Sequence, residues 1–586
     1  MSDAADPPPE SRNTHLGVLR RFAQLLKAFF IDGNRRETRL LVAALLGLCL
    51  AVGVVQVFVS YAARNFITSL VQRDSVAFYR NLWVYLGAFA IAIPLGVFYR
   101  YVAERLSLLW RQWMTHLLVK RYFFNRAYYR LRSSDRVDNP DQRISEDVKS
   151  FTTGVLGYLL TMINSVVTLV GFLGVLYTIS WKLPTGLLLY ATFGTGLSIL
   201  IGRRLVGLHF NQYAKEADFR YSLVRVRDNA ESIAFFRGEK REHRDLVSRF
   251  SEVLKNTMRI IGWNRTLGFF TNSYNYVALI LPILIVGPMF MRGAVEYGVV
   301  TQAESAFAQV LMALSVIIAQ FEGLSAFAAG IKRLGDLWDE LDDYDTEDAL
   351  MENDSQIDLD EEALGLKLAD LSVKTPGGQK TLTRNLNFTL PPGESVLIMG
   401  ESGTGKSSLL RTIAGLWQTG EGSIERPKLN DLIFLSQRPY MVQGNLRAQL
   451  VYPQSEEGAD DELIKEALGK VNLTEVLDRV DGDFERTVDW TNILSLGEQQ
   501  RVSFARIFLR KPVLAFLDEA TSSLDEPNER LLYENLRELG ISYVSVGHRS
   551  TLKEFHDHLI VLSKDGTVEV SKIGLETVAD EAIAAA

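Results

Sequence analysis

The 586-residue sequence predicts a membrane α-helical bundle of six spans, followed by an α/β domain. Three observations carry that prediction. Six apolar stretches are long enough to cross a bilayer. The loops between them alternate sharply in basic charge, and beyond residue 363 short apolar strands alternate with glycine turns and helical segments. With 47% hydrophobic and 23% charged residues, apolar and charged portions must be kept apart along the chain.

Residues 1–16 read as a polar, proline-bearing tail, without the basic-then-apolar pattern of a cleaved signal. A membrane domain is expected over 17–335. It opens with an amphipathic segment, Gly17 to Phe30, where Leu19, Phe22, Leu25, Leu26 and Phe29 recur at helical spacing against Arg20, Arg21 and Lys27. That spacing suits a helix lying on a membrane surface or one packed in a globule; the spans that follow favour the surface. The spans are approximately Leu40–Ala62, Leu82–Val102, Val155–Ile179, Leu183–Ile201, Phe269–Met291 and Ala306–Ala329. The loop after the second carries Arg105, Arg111, Lys120, Arg121 and further basic residues to Lys149, and the loop after the fourth is similar from Arg203 to Arg241. The other three are short and hold little basic charge beyond Arg73, Arg80, Lys182 and Arg292. By the positive-inside rule both termini and both long loops are cytoplasmic, and the periodicity of these loops suggests helices continuing into the cytosol. The single cysteine, Cys49, lies in an apolar run and is expected simply to pack; no disulfide framework is possible within the chain.

Polar residues fall at helical spacing inside three spans: Gln56, Ser60 and Arg64; Thr161, Asn164 and Thr168; Gln302, Gln309 and Gln320. Stripes of this kind line a water-filled path or bind helices to one another, and Arg64 equally suits the outer interface. An acidic linker is expected over 336–362, a nucleotide-binding domain over 363–570, and a short tail over 571–586.

Within 363–570, the run Ser395–Met399, the turn Gly400-Glu401-Ser402-Gly403-Thr404-Gly405-Lys406-Ser407 and the segment from Ser408 form a strand, a glycine-rich turn and a helix start. This is the P-loop pattern. Backbone N–H groups of Glu401 to Ser408 converge on phosphate oxygens, Lys406 adds a cation, and the Ser407 hydroxyl can ligate Mg²⁺. A second apolar strand, Val513–Leu517, ends in Asp518 and Glu519, one acid for the metal shell and one for the attacking water. A third, Ile541–Val546, ends in Gly547-His548, which a parallel sheet would turn toward the same ligand crevice.

Leu494-Ser495-Leu496-Gly497-Glu498-Gln499-Gln500-Arg501 resembles the signature motif of the ATP-binding cassette, Ser522-Ser523-Leu524-Asp525 its D-loop, Gln437 its Q-loop and His548 its switch histidine. The whole chain resembles an exporter-type ABC half-transporter. Asn139 to Asp147 and Ala230 to Glu239, together with Asp489-Trp490, resemble motifs of subfamily D, the peroxisomal acyl-CoA and lysosomal cobalamin transporters, and of bacterial relatives.

The resemblance implies ATP and Mg²⁺ as ligands, with Ser407, Gln437 and Asp518 toward the metal and Glu519 and His548 as catalytic residues. Ser495, Leu496, Gly497 and Glu498 would meet the ATP held by an opposite subunit, with Ser523 and Asp525 at the same seam. A homodimer, or a heterodimer with a related half-transporter, is therefore expected. Two departures stand out. Leu496 replaces the first signature glycine, and the usual adenine-stacking aromatic is missing from the stretch at Thr375, leaving aliphatic atoms of Val373 or Thr375 to support the base. The cargo class is amphiphilic or large and hydrophilic, such as cobalamin, an acyl-CoA or fatty acid, or a peptide, moved by alternating access. The alternative is an ATP-gated channel or regulatory membrane ATPase. A nucleic-acid ATPase is excluded by the six spans and the net charge of −7, and a bacterial inner membrane is favoured over an organelle.

Overall fold

The computed structural model describes residues 27, 29, 35–133, 136–319, 321–345, 357–375, 378–456 and 460–573. The chain divides into two compact units, Met1–Ala349 and Leu350–Ala586. The N-terminal tail, most of the Gly17 to Phe30 segment, Gln320, the linker stretch 346–356 and residues 574–586 lie outside the described residues.

The first unit is helical: α1 (Arg35–Val71), α2 (Ser75–Phe123), α3 (Val148–Ile179), α4 (Lys182–Asp228), α5 (Ala230–Phe236), α6 (Glu239–Met291), α7 (Tyr297–Ala319) and α8 (Phe321–Asp345). Six of these are long and apolar enough to cross a membrane. Helices α2, α4 and α6 contain 49, 47 and 53 residues. At about 1.5 Å per residue each exceeds a hydrocarbon core of roughly 30 Å more than twofold, so the basic loops are continuations of the spans, as their periodicity suggested. Arg237 ends α5 in the left-handed conformation and turns the chain back into α6.

The sixth span differs from the sequence expectation. It begins at Tyr297 rather than Ala306, and among the described residues an apolar window lies within 297–316. Gln302 and Glu304 lower the apolar count at its start, which displaces a hydropathy reading toward the C-terminus. Protein covers 44% of that window, against 18% or less for the other five. A helix sheltered by its neighbours need not satisfy lipid.

Three residues of the polar stripes, Ser60, Asn164 and Gln302, serve helix pairing. Gln302 is 3% exposed and its Nε2 donates to Ser60 Oγ at 3.3 Å. Asn164 Nδ2 donates to the Tyr99 hydroxyl at 2.7 Å, and the Cys49 thiol donates to Asn164 Oδ1 at 3.0 Å. Cys49 therefore packs and also joins α1 to α3. At Gly298 a Cβ would lie 2.2 Å from Arg64 O, so only glycine permits this approach of α7 to α1. Gln56 and Gln309 lie on the surface of the single chain.

Two apolar cores hold the unit. One joins α2, α3 and α8 through Trp110, Met114, Leu118, Phe151, Val155, Leu334 and Leu337; Phe29 stacks on Trp110 with centroids 5.1 Å apart. The other joins α3, α4, α6 and α7 around Leu176, Leu187, Val286, Ala303 and Val310. The 139–147 motif clamps α8. Arg143, 5% exposed, donates through Nη1 to Arg333 O at 2.6 Å, and Arg333 pairs with Asp147 at 2.6 Å.

The second unit comprises β1 (Asp358–Asp360), β2 (Leu366–Lys374), β3 (Thr381–Leu390), β4 (Ser395–Gly400), α9 (Lys406–Ile413), β5 (Gly420–Glu425), β6 (Leu432–Leu435), α10 (Leu446–Val451), α11 (Asp461–Lys470), α12 (Leu496–Arg510), β7 (Leu514–Asp518), α13 (Glu526–Glu538), β8 (Ser542–Val546), β9 (His558–Leu562) and β10 (Val568–Lys572). Its main sheet has the order β10-β9-β4-β8-β7-β6. All neighbours are parallel except β10 and β9. The central strands are buried on both faces and read as continuous apolar runs, as parallel strands must. A smaller sheet, β1-β5-β2-β3, closes one side.

Beneath the main sheet His556 is enclosed by Tyr533 and Tyr543, with its ring nitrogens on Leu552 O at 2.7 Å and Ser545 Oγ at 2.8 Å. Burial pushes its pKa down from 6.5 to about 4. Between those values the unfolded chain binds a proton that the folded one refuses, so stability falls with pH from 6.5 toward 4 and levels off below. The unit should lose roughly 3 kcal/mol over this interval, and His556→Gln should flatten it. Hydrogen exchange of β8 amides at pH 7 and pH 5 checks this; equal pH dependence in the variant would remove His556 as the cause.

Candidate functional site

Parallel strands deliver their following loops to one edge of the sheet. Here β4, β8, β7 and β6 deliver the P-loop, Gly547-His548, Glu519 and Gln437 respectively. Register aligns them: Ile398 pairs with Val546, and Val546 with Asp518. The Gly547 N–H donates to Ile398 O at 3.3 Å and the Glu519 N–H to Val546 O at 3.1 Å, which continues the ladder past the strand ends.

In the P-loop, Gly403 and Gly405 have φ of 83° and 99°, and a Cβ on Gly405 would lie 2.9 Å from Leu382 Cβ. Glycine is thus required by conformation at both and by space at the second. Thr404 is 3% exposed and its hydroxyl donates to Glu401 O at 3.0 Å, which holds the turn closed. Lys406 Nζ donates to Gly400 O at 2.8 Å and Glu401 O at 2.9 Å. Burial lowers the Lys406 pKa, against the opposing fields of Glu519 and Asp518. Glu401 pairs outward with Lys564, Ser402 is exposed, and Ser408 is half-buried in the first turn of α9.

The Ser407 hydroxyl donates to Asp518 Oδ1 at 2.9 Å, and burial raises the Asp518 pKa. Next in the chain, Glu519 has φ of 52°, a left-handed conformation that a non-glycine residue adopts only where its surroundings hold it. Its carboxylate is bracketed: Gln437 Nε2 donates to Oε2 at 2.8 Å and His548 Nε2 lies 2.8 Å from Oε1. A hydroxyl, a half-buried carboxylate and the amide oxygen of Gln437 are hard donors that fit Mg²⁺, which takes few protein ligands and completes its shell from phosphates and water. Accordingly, no group of three or more His, Cys, Asp or Glu suited to a metal occurs among the described residues.

The signature segment starts α12. Ser495 is its N-cap, with the reciprocal bonds of a capping box to Glu498. Leu496 is 43% exposed, so the residue replacing the first glycine points to the surface. A Cβ on Gly497, in contrast, would lie 3.0 Å from Ser523 O. The two positions therefore carry different constraints: the second must let the D-loop approach. Asp525 begins α13 and accepts from Asn528 Nδ2 at 2.6 Å.

Adenine support differs from expectation at one position. Val373 is 0% exposed in the core beneath the sheets and offers no face to a base. Thr375 is half-buried and closes a turn, its N–H donating to Lys380 O at 2.8 Å and its hydroxyl accepting from Lys380 N at 3.1 Å.

Three residues outside the sequence-derived set tie the loops together. Gln500, 1% exposed, donates to Gln437 O at 3.2 Å and Ser522 Oγ at 3.3 Å, and accepts from Ser523 N at 3.1 Å. One buried amide thus links the signature helix, Q-loop and D-loop. Arg549, next to His548, donates to Leu524 O at 3.2 Å and Glu529 at 3.0 Å. Arg479 pairs with Glu498. Gln500 lies within the recognised signature motif and Arg549 directly follows His548, so their positions were visible in the sequence; Arg479 carried no local signal.

Comparison with known proteins gives the family. Residues 25–291 match the family model described as ABC transporter transmembrane region 2, and residues 383–522 the one described as ABC transporter. An uncharacterized ABC transporter ATP-binding protein of Synechocystis is 42% identical over 91% of this chain and 82% of its own. The chloroplastic ABC transporter D family member 2 of Arabidopsis thaliana is 38% identical over 95% of this chain and 87% of its own. The lysosomal cobalamin transporter of Homo sapiens is 31% identical over 96% and 97%. With six membrane helices and one ATP-binding unit on a single polypeptide, this chain belongs to the ABC transporters as a half-transporter of the subfamily D type.

Proposed function

We propose that two copies of this chain form a transporter that hydrolyses ATP with Mg²⁺ at two shared sites. The cargo is amphiphilic or large and hydrophilic: cobalamin, as named for the human relative, an acyl-CoA or fatty acid, or a peptide. The observation that carries the reading is the Glu519 carboxylate held between Gln437 and His548, one residue beyond the Ser407–Asp518 pair.

The chemistry follows from those positions. Backbone N–H groups of residues 401–408 and Lys406 bind the phosphates, and Ser407, Asp518 and Gln437 would hold Mg²⁺, which would supply charge neutralisation to the phosphates. Glu519 accepts a proton from water as its oxygen bonds to the γ-phosphorus and the bond to the bridging oxygen breaks. His548 and Gln437 fix the carboxylate for that transfer. Ser495 and the Gly497 N–H, at a helix start, add donors for the γ-phosphate of the partner copy, so closure of the pair completes both sites. ATP then drives alternating access by binding the closed pair more tightly than the open one. Reversing a 1:99 population takes about 5.5 kcal/mol. The α5 turn, with Phe235 and Phe236 78% and 86% exposed, is the element we assign to transmitting the motion, and the exposed Glu231 lies on it.

Glu519→Gln should keep nucleotide affinity and lower turnover at least about 100-fold; near-normal ATPase activity would remove Glu519 from the role of base. Glu231→Lys should preserve basal ATPase activity and lower ATP-dependent cargo uptake into proteoliposomes, and uptake equal to wild type would argue against a coupling role for α5. The function as a whole is tested by screening cobalamin, acyl-CoA and peptides for stimulated ATPase and vectorial uptake in lipid. Ion current sustained by a non-hydrolysable nucleotide, without uptake, would favour a gated channel.

A further inference from the structure

The Ser495 hydroxyl has one proton, and in this structure that proton is committed within its own chain. It donates to Glu498 Oε2 at 2.9 Å, while its oxygen accepts the Glu498 N–H at 3.3 Å. The same Oε2 also accepts the Ser495 N–H at 2.8 Å and Arg479 Nη1 at 3.2 Å, and Oε1 accepts Arg479 Nη2. To reach a phosphate of the opposite copy, the hydroxyl must leave Glu498. It must do so beside a full negative charge, because the Glu498 carboxylate, 13% exposed, stands one hydrogen bond from the serine.

An isolated carboxylate at this place would oppose the reaction twice. It would hold the serine proton, and it would repel the approaching γ-phosphate through a poorly solvated gap. Arg479 removes both objections. Its two N–H groups keep each carboxylate oxygen bonded after the serine proton departs, and its charge cancels that of Glu498. The guanidinium is anchored where it can do this: it sits on the turn Asp478–Val480 and Nη1 also reaches Ile493 O at 3.3 Å, two residues before the serine. The strength of the pairing is visible in the Glu498 carboxyl, which the Arg479 bond holds down at about 2 against the upward push of burial. Of the charged groups around this pair, Glu475 also faces Arg479.

We propose that Arg479 is a positioning residue for ATP-driven closure, anchoring and neutralising Glu498 so that Ser495 can exchange its own-chain carboxylate for the γ-phosphate bound by the partner copy. This rests on the reading of Ser495 as a donor to that phosphate. No covalent bond changes; one O–H changes acceptor.

The test uses the full-length chain in nanodiscs, with steady-state ATPase activity and binding of a fluorescent ATP analogue to the P-loop. Arg479→Met should raise the ATP concentration for half-maximal turnover about tenfold, with a smaller change in kcat and P-loop affinity within about twofold of wild type. Arg479→Lys should recover most of the loss, because charge is what the site needs. In a Glu498→Gln background, where no carboxylate remains to neutralise, Arg479→Met should add less than about twofold. If Arg479→Met proves poorly folded, Arg479→Gln, which keeps a donor and loses the charge, replaces it with the same expectation. The inference is overturned if the loss is under twofold, if it is equally large with Glu498→Gln, or if lysine recovers none of it. Ser495→Ala separates the two levels: normal kcat/KM there would sink the signature reading itself, whereas a large loss with an indifferent Arg479→Met would sink only the present inference.

Discussion

The placement of β8 between β4 and β7 is the constraint on which the nucleotide-binding unit depends. Because the three strands are parallel, their loops leave the same edge. Because their registers align at Ile398, Val546 and Asp518, the P-loop, Glu519 and His548 emerge at one depth. A shift of one residue in β7 would exchange the two faces of the strand and withdraw Asp518 from Ser407. The left-handed backbone at Glu519 belongs to the same geometry. The ladder bond from its N–H to Val546 O holds the chain as it leaves the sheet, and the carboxylate meets Gln437 and His548 instead of following the strand direction. Strain of this kind persists only where surrounding contacts over-determine it.

A different constraint governs the membrane unit. Hydrocarbon offers no partner to a polar side chain, so polar groups within the spans must find one another. Ser60 with Gln302, and Asn164 with both Tyr99 and Cys49, do so across helix pairs far apart in sequence. These bonds fix which faces meet, and Gly298 lets α7 come close enough to α1 for the first of them. Outside the bilayer the logic reverts to charge. Arg143 and Asp147 of the 139–147 motif grip Arg333 on α8, which ties the helix leaving the sixth span to the base of the third.

Around the P-loop edge of the sheet, the buried amide of Gln500 and the guanidinium of Arg549 act as struts. Gln500 bonds to the backbone or side chains of two other loops, and Arg549 holds the D-loop beside the histidine it follows. Loss of such residues would leave buried backbone groups unpaired, which costs more than the bond itself contributes.

By itself the sequence determined whatever depends on neighbours along the chain. Apolar length gave the spans, the periodicity of the basic loops gave the long helical extensions, and strand, glycine turn and helix start gave the P-loop, since these are short-range patterns with short-range causes. It misjudged the sixth span because hydropathy assumes lipid on every side, while α7 is sheltered by protein. It offered Val373 to a nucleotide base because solvent exposure is not written in a single strand; only the packing of the sheets buries that residue completely. Tertiary structure alone decided that Leu496 faces outward, that Gly497 must yield to Ser523, and that Arg479 reaches Glu498 from a separate turn. Each of these depends on the meeting of chain segments that folding brings together, and no local periodicity records such meetings.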